Sequence, residues 1–173
     1  MFHPTFNIIS KVNQRMLLIK KMYSFGATRE ELTHLWIIYC RSVLEQSAEV
    51  WSSSLSEENK TDLERTQKSF VKRVLKKEYK TEETGSYENA LLKLNLQTLE
   101  ARREELCLKF AKDCTKHEKF TDLFPENENN HMDTRYHEKY EVLFSNTERM
   151  KKSSIIYMQN LLNKEEKERK YSK

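Results

Sequence analysis

Between Phe6 and Tyr23 the apolar residues Ile8, Ile9, Val12, Met16, Ile19 and Tyr23 recur at intervals of three and four, which gathers them on one face of a helix. Gly26 follows where a helix C-cap would stand. Thr28 with Glu31 three residues on has the form of a capping box and opens a second helix expected to run to about Trp51. Its apolar face takes in Leu32, Leu35, Trp36, Tyr39, Val43, Leu44, Val50 and Trp51, while His34, Arg41, Glu45 and Glu49 fall on the other side. A face that wide predicts the centre of the core. The serines of SSSLSEEN interrupt the pattern, and Ser56 followed by two glutamates predicts the start of a third helix through Lys77, with Leu63, Phe70, Val71, Val74 and Leu75 as its buried stripe.

Gly85 marks a turn, after which Ser86 is placed to cap a short helix over YENALLKL and Thr98 a longer one to about His117. Leu99, Leu106 and Phe110 line one face of that longer helix, with Cys114 beside them. PENENNHMDTR, residues 125–135, is polar and turn-rich and reads as a mobile connection. Beyond it lie a segment of unassigned structure around Tyr140 to Phe144, a short amphipathic run SIIYMQNLL, and a charged tail KEEKERKYSK expected to fray. With two glycines and two prolines the chain cannot supply the tight turns of a sandwich or barrel. No fixed-period repeat or sustained heptad pattern is present. The expectation is an all-α, short-looped helical bundle with a less ordered C-terminal extension, divided into a basic N-terminal helix (1–27), a helical core (28–117) and a partly mobile extension (118–173).

Apolar residues make up 37% of the chain and charged residues 34%, so the core is expected to be thin and the solvated faces broad. The net charge of +4 matters through its distribution. Residues 1–27 carry Lys11, Arg15, Lys20 and Lys21 and no acidic side chain, and a second concentration runs from Arg65 to Lys80. On the third helix Arg65, Lys68, Lys72 and Lys76 fall within an arc of roughly 80° opposite Phe70 and Val74. Such a ridge can track phosphates along a duplex without reading sequence; a plain solvated helix face is the alternative.

Other chemistries find little footing. Phosphate-cradling loops and G-x-S-x-G nucleophile elbows need clustered glycines. The four aspartates, Asp62, Asp113, Asp122 and Asp133, are scattered, which argues against a two-metal phosphoryl-transfer site. Cys107, Cys114, His117, His131 and His137 share one stretch but lack the ligand spacing of common zinc modules, so neither a metal nor a cofactor is expected. Three cysteines are too few, and odd in number, for a disulfide framework and suit a reducing intracellular compartment, nuclear or cytoplasmic. No apolar run reaches signal-peptide or membrane-spanning length, and no small-molecule substrate is implied.

The helix holding Tyr39, Arg41, Leu44, Glu45 and Trp51, followed by LERTQKSFVKRVL, YENALLKLNLQTLEARREELCLKFA, FTDLF and SIIYMQNLLN, is similar to the region after the palm in reverse transcriptases of LINE-type non-LTR retrotransposons of the jockey, CR1 and RTE kind. The likeness extends from about Lys11 to Asn163. It implies thumb helices that pack against a palm and grip an RNA/DNA template–primer duplex; the charge pattern, read independently of the resemblance, makes the ridge Arg65, Lys68, Lys72 and Lys76, helped by Lys11 and Lys21, the expected contacts. In such polymerases an endonuclease, the fingers and the palm with its catalytic aspartates precede this region. None of them lies in these residues, so the resemblance implies a non-enzymatic fragment whose partners are the duplex and the missing palm. A helical protein-interaction module without a nucleic-acid role, using Ile38 or the SIIYMQNLL run as its contact, is the other reading.

Overall fold

A computed structural model describes residues 4–80, 86–127 and 138–171. The fold is all-α. The one strand-like feature among the described residues is an isolated antiparallel bridge between Glu126 and Tyr140. The helices form two compact units, one comprising Met1–Ser47 and Leu55–Arg102, the other Ala48–Ser54 and Arg103–Lys173. These boundaries differ from those expected at residues 27 and 117: the N-terminal helix belongs to the first unit, and residues 103–117 belong to the second.

In the first unit, α1 (Pro4–Ser24) buries Val12, Met16 and Ile19. Gly26, at φ +90°, ends it in a paired turn in which the Ala27 amide donates to the Met22 carbonyl and the Gly26 amide to that of Tyr23. The capping box forms as read: the Glu31 amide donates to Thr28 Oγ1 and the Thr28 amide to the Glu31 carboxylate, opening α2 (Arg29–Leu35).

The second helix is not continuous to Trp51. It widens into a π-helical stretch over Trp36–Arg41, resumes as α3 (Ser42–Glu45), and breaks at Ser47, whose φ is +55°. Its buried residues explain the widening. Leu32, Trp36, Cys40 and Leu44 are all buried at a strict spacing of four, which in an ideal α-helix drifts by about 40° per step. A wider turn with i→i+5 bonding reduces that drift and keeps Trp36 and Cys40 inward. Tyr39, assigned to the buried face, is instead 44% exposed, and Val50 is exposed as well.

The third helix, α5 (Glu57–Leu75), is capped by Ser56 and buries the anticipated stripe Leu63, Phe70, Val71, Val74 and Leu75. Phe70 stacks on Trp36 with ring centroids 4.7 Å apart. Gln67, fully buried, lies at the centre of a polar network: Trp36 Nε1 donates to its Oε1, and its Nε2 donates to the Gln97 carbonyl and the Tyr87 hydroxyl. The Tyr87 hydroxyl and the Leu99 amide in turn donate to the Glu64 carboxylate. Helix α6 (Tyr87–Lys93) is capped by Ser86, and Thr98 caps α7 (Leu99–Thr115), as the sequence predicts.

In the second unit the short helices α4 (Ala48–Trp51) and α8 (Glu148–Lys151) accompany α9 (Ser154–Tyr171) and the C-terminal part of α7. Cys107, Ala111, Cys114, Phe124, Tyr140, Met158, Leu161 and Leu162 make its core. Phe110, expected to share the buried face of α7 with Leu106, is 45% exposed, and Cys107 and Ala111 take the inward positions. Two buried amides of α9, one turn apart, fasten the chain around it. Asn163 accepts from the Tyr140 amide and donates to the Tyr140 carbonyl, both at 2.9 Å, while Gln159 accepts from the Leu143 amide and donates to the Leu123 carbonyl. The charged tail continues α9 to Tyr171 where fraying was expected. Of the polar segment 125–135, residues 128–135 lie outside the described residues.

Candidate nucleic-acid interface

Six cations were singled out, and the structure places four of them along α5 and its end. Arg65, Lys68, Lys72 and Lys76 are all exposed. The helix ends at Leu75, before the expected Lys77, and Lys76 adopts φ +46°, so the fourth cation leaves the helical path. Its ammonium lies 4.0 Å from the centroid of the Tyr23 ring on α1. Lys68 lies over Tyr87 and Lys72 over Tyr79, each at 5.5 Å. Three lysines in succession are thus set against aromatic faces. A cation over a ring gains about 0.5–1 kcal/mol at an exposed site, enough to bias a flexible stem while leaving the ammonium hydrated. Arg65 donates to Asp62 one turn earlier, at 2.7 Å, and remains largely exposed.

Lys11 and Lys21 are both exposed on α1. Lys21 stands in the turn that also carries Tyr23, the ring under Lys76, whereas Lys11 lies about 15 Å further along the axis. A third cation of that segment is not free. Arg15 is half-buried, donates to the Tyr39 carbonyl and lies 4.8 Å from the Tyr39 ring centroid, which accounts for the outward turn of that tyrosine.

Arg73 belongs to the second cationic concentration but was not expected on the ridge, and Ser69 was not among the expected contacts. With Arg65 they form an i, i+4, i+8 row beside the row of Lys68 and Lys72, and together the five line a shallow, open depression of about 490 Å³. Within the Arg73 side chain Nε is closed to solvent and has no hydrogen-bond partner. The spacing of that row was visible in the sequence. The three tyrosines under the lysines come from distant segments, and no local pattern announces them.

Several ionisable groups elsewhere have structural partners. Arg41 and Arg102 both pair with Glu45, at 3.0 and 3.2 Å, and Arg29 pairs with Glu78. All three cysteines are buried free thiols. Burial pushes the Cys40 thiol up to about 11, and it also raises Cys107 and Cys114, so none is poised as a nucleophile. Among the described residues no three His, Cys, Asp or Glu side chains are grouped as metal ligands; His131 and His137, weighed for zinc, lie outside those residues. No described helix is long and apolar enough to cross a membrane. Of the apolar surfaces considered for a protein partner, Ile38 is exposed, whereas Ile156, Met158, Leu161 and Leu162 of SIIYMQNLL are buried within the second unit. Compared with protein-family models, curated proteins and solved structures, the chain finds no match.

Proposed function

We propose that this chain is a thumb-like, non-catalytic region of a non-LTR retrotransposon RNA-directed DNA polymerase that grips the template–primer duplex with α5 while its palm lies in another part of the polymerase. The observation that supports this most directly is the cationic surface of α5, where Arg65, Lys68 and Lys72 stand exposed on the side opposite Phe70 and Val74, two of the lysines set over tyrosine rings. A helix anchored by its apolar face presents such charges at fixed positions, as contact with a regular phosphate backbone demands. Neutralising each phosphate contributes a little under one unit to the slope of log affinity against log salt. Binding to an RNA/DNA hybrid is therefore expected to show a slope of about three to four, with little dependence on sequence. Replacing Arg65, Lys68, Lys72 and Lys76 together by glutamine flattens most of that slope while far-ultraviolet circular dichroism stays helical, since glutamine is a comparable helix former. A folded wild-type chain that fails to bind the hybrid at low salt overturns the reading and leaves a protein-interaction role.

A further inference from the structure

The α5 surface is broader than a single ridge. On the helical wheel, with Arg65 at zero, Lys72 and Lys68 lie at about −20° and −60°, and Ser69 and Arg73 at about +40° and +80°. Arg73 therefore sits at the border of the buried arc, next to Thr66, which is buried. This position explains why its Nε is shielded from water although the residue as a whole is half-exposed. Water does not reach Nε and a phosphate oxygen of similar size does not either, so the terminal Nη groups of the fork, on a side chain that lines the depression, are the ones open to a charge-assisted bond with an anion. The neighbouring groups suit an anion. Ser69 is exposed one turn before Arg73, Arg65 one turn earlier still, and the ammonium-bearing Lys68 and Lys72 form the opposite wall. No acid lines the depression, and Asp62, one turn before Arg65, is held by Arg65. At about 490 Å³ the depression is many times the roughly 30 Å³ share of a water molecule, so it has room for a phosphate with its flanking ester groups.

We propose that this depression is a phosphodiester seat: one backbone phosphate accepts from Arg73 and the Ser69 hydroxyl, flanked by Lys68 and Lys72, and fixes the register of the strand on α5. The proposal rests on the reading of α5 as a duplex-facing helix. It divides the cations by role. Arg73 makes a directed bond, while Lys76, off the helical path and against Tyr23, contributes only diffuse charge.

The test uses the full chain and two probes. Titration with inorganic phosphate, followed by nitrogen–proton correlation spectra, is expected to shift the Arg73 Nε–H signal and the Ser69 amide and to leave Lys11 and Lys21 unmoved. With an RNA/DNA hybrid at fixed low salt, Arg73→Gln is expected to weaken binding by roughly tenfold, against less than about threefold for Lys76→Gln. Arg73→Lys, which keeps the charge and loses the fork, is expected to retain the salt slope yet still bind weakly, and it serves where Arg73→Gln does not fold. Hybrid binding that is undiminished in Arg73→Lys, together with an Arg73 signal that phosphate does not move, overturns the seat while the duplex reading stands. Loss of hybrid binding by the wild-type chain fails the duplex reading instead; an Arg73 signal that phosphate still moves then supports an anion seat of other purpose.

Discussion

Gln67 shows how one side chain can fix several segments at once. It is fully buried and bonded to Trp36, Tyr87 and the Gln97 carbonyl, so that α5, the π-helical stretch, α6 and the segment after it are all held to one amide. A buried polar network stabilises only while every member is satisfied, because each orphaned group carries a desolvation penalty of about 1–3 kcal/mol. Gln67→Ala should accordingly destabilise the first unit by about 2–4 kcal/mol, read as a lower midpoint of chemical unfolding at Trp36 fluorescence. A midpoint within error of wild type would show that the network contributes nothing. Ser47 is the opposite case. It holds φ +55° with a β-carbon, so Ser47→Gly is expected to raise stability by about 0.5–1 kcal/mol, whereas Gly26→Ala, at φ +90° and with nothing within 4 Å of an added Cβ, should lower it by about 1 kcal/mol through backbone strain alone. The two thermal midpoints moving the same way would contradict this account.

Helix starts were legible and helix interiors less so, for a physical reason. Thr28, Ser56, Ser86 and Thr98 each accept from an amide three residues on, a local event that residue type and spacing announce. The break at Ser47 involves neither glycine nor proline, and the π-helical widening depends on which residues meet the rest of the core, so the local sequence QSA predicted continuity. Tyr39 and Phe110 were assigned inward by periodicity alone. Tyr39 instead turns out to meet Arg15, and Cys107 and Ala111 take the inward positions on α7. The cationic row on α5 was legible because it lies on one regular helix, whereas the Tyr23, Tyr79 and Tyr87 rings were not, being tertiary partners. Element-level logic also yields a prediction for α9. Lys139 and Glu141 bond to the segment around Glu126, while Asn163 and Gln159 supply side-chain amides to the Tyr140 and Leu143 backbone groups that this bridge leaves open. Asn163→Ala is therefore expected to speed hydrogen exchange at the Tyr140 amide, and Gln159→Ala at the Leu143 amide, by about tenfold or more each while the interior of α9 stays protected. Uniform loss of protection across the second unit in both variants would show a collapse of the core and refute so local a role.

At the scale of the whole molecule, the buried titratable groups point towards a single pH direction. Burial raises the Cys40 thiol from 9.0 to about 11, raises Cys107 and Cys114, and carries Tyr87 above the usual tyrosine range with help from its bond to Glu64. Each of these groups is neutral when protonated. Below about pH 9 the folded and unfolded chains both hold the thiol protons, and stability is insensitive to them. Above it the unfolded chain releases its protons first, so stability falls as pH rises and levels off only once the folded thiol also ionises. For Cys40, fully buried, the range from 9.0 to about 11 corresponds to a loss on the order of 2–3 kcal/mol. Each unit contains one tryptophan, Trp36 in the first and Trp51 in the second, so the loss can be followed where it originates. In a Trp51→Phe background, urea midpoints read at Trp36 should hold steady to about pH 8.5 and decline from there to pH 11. Cys40→Ala should start lower, because it removes a buried sulfur, yet decline less steeply across the same range, with Tyr87 and the raised Lys60 ammonium, bonded to Glu57, contributing to what slope remains. Parallel curves for the two proteins would mean that Cys40 ionises in the folded unit as readily as in the unfolded one, and that its burial has no part in the alkaline limit of the fold.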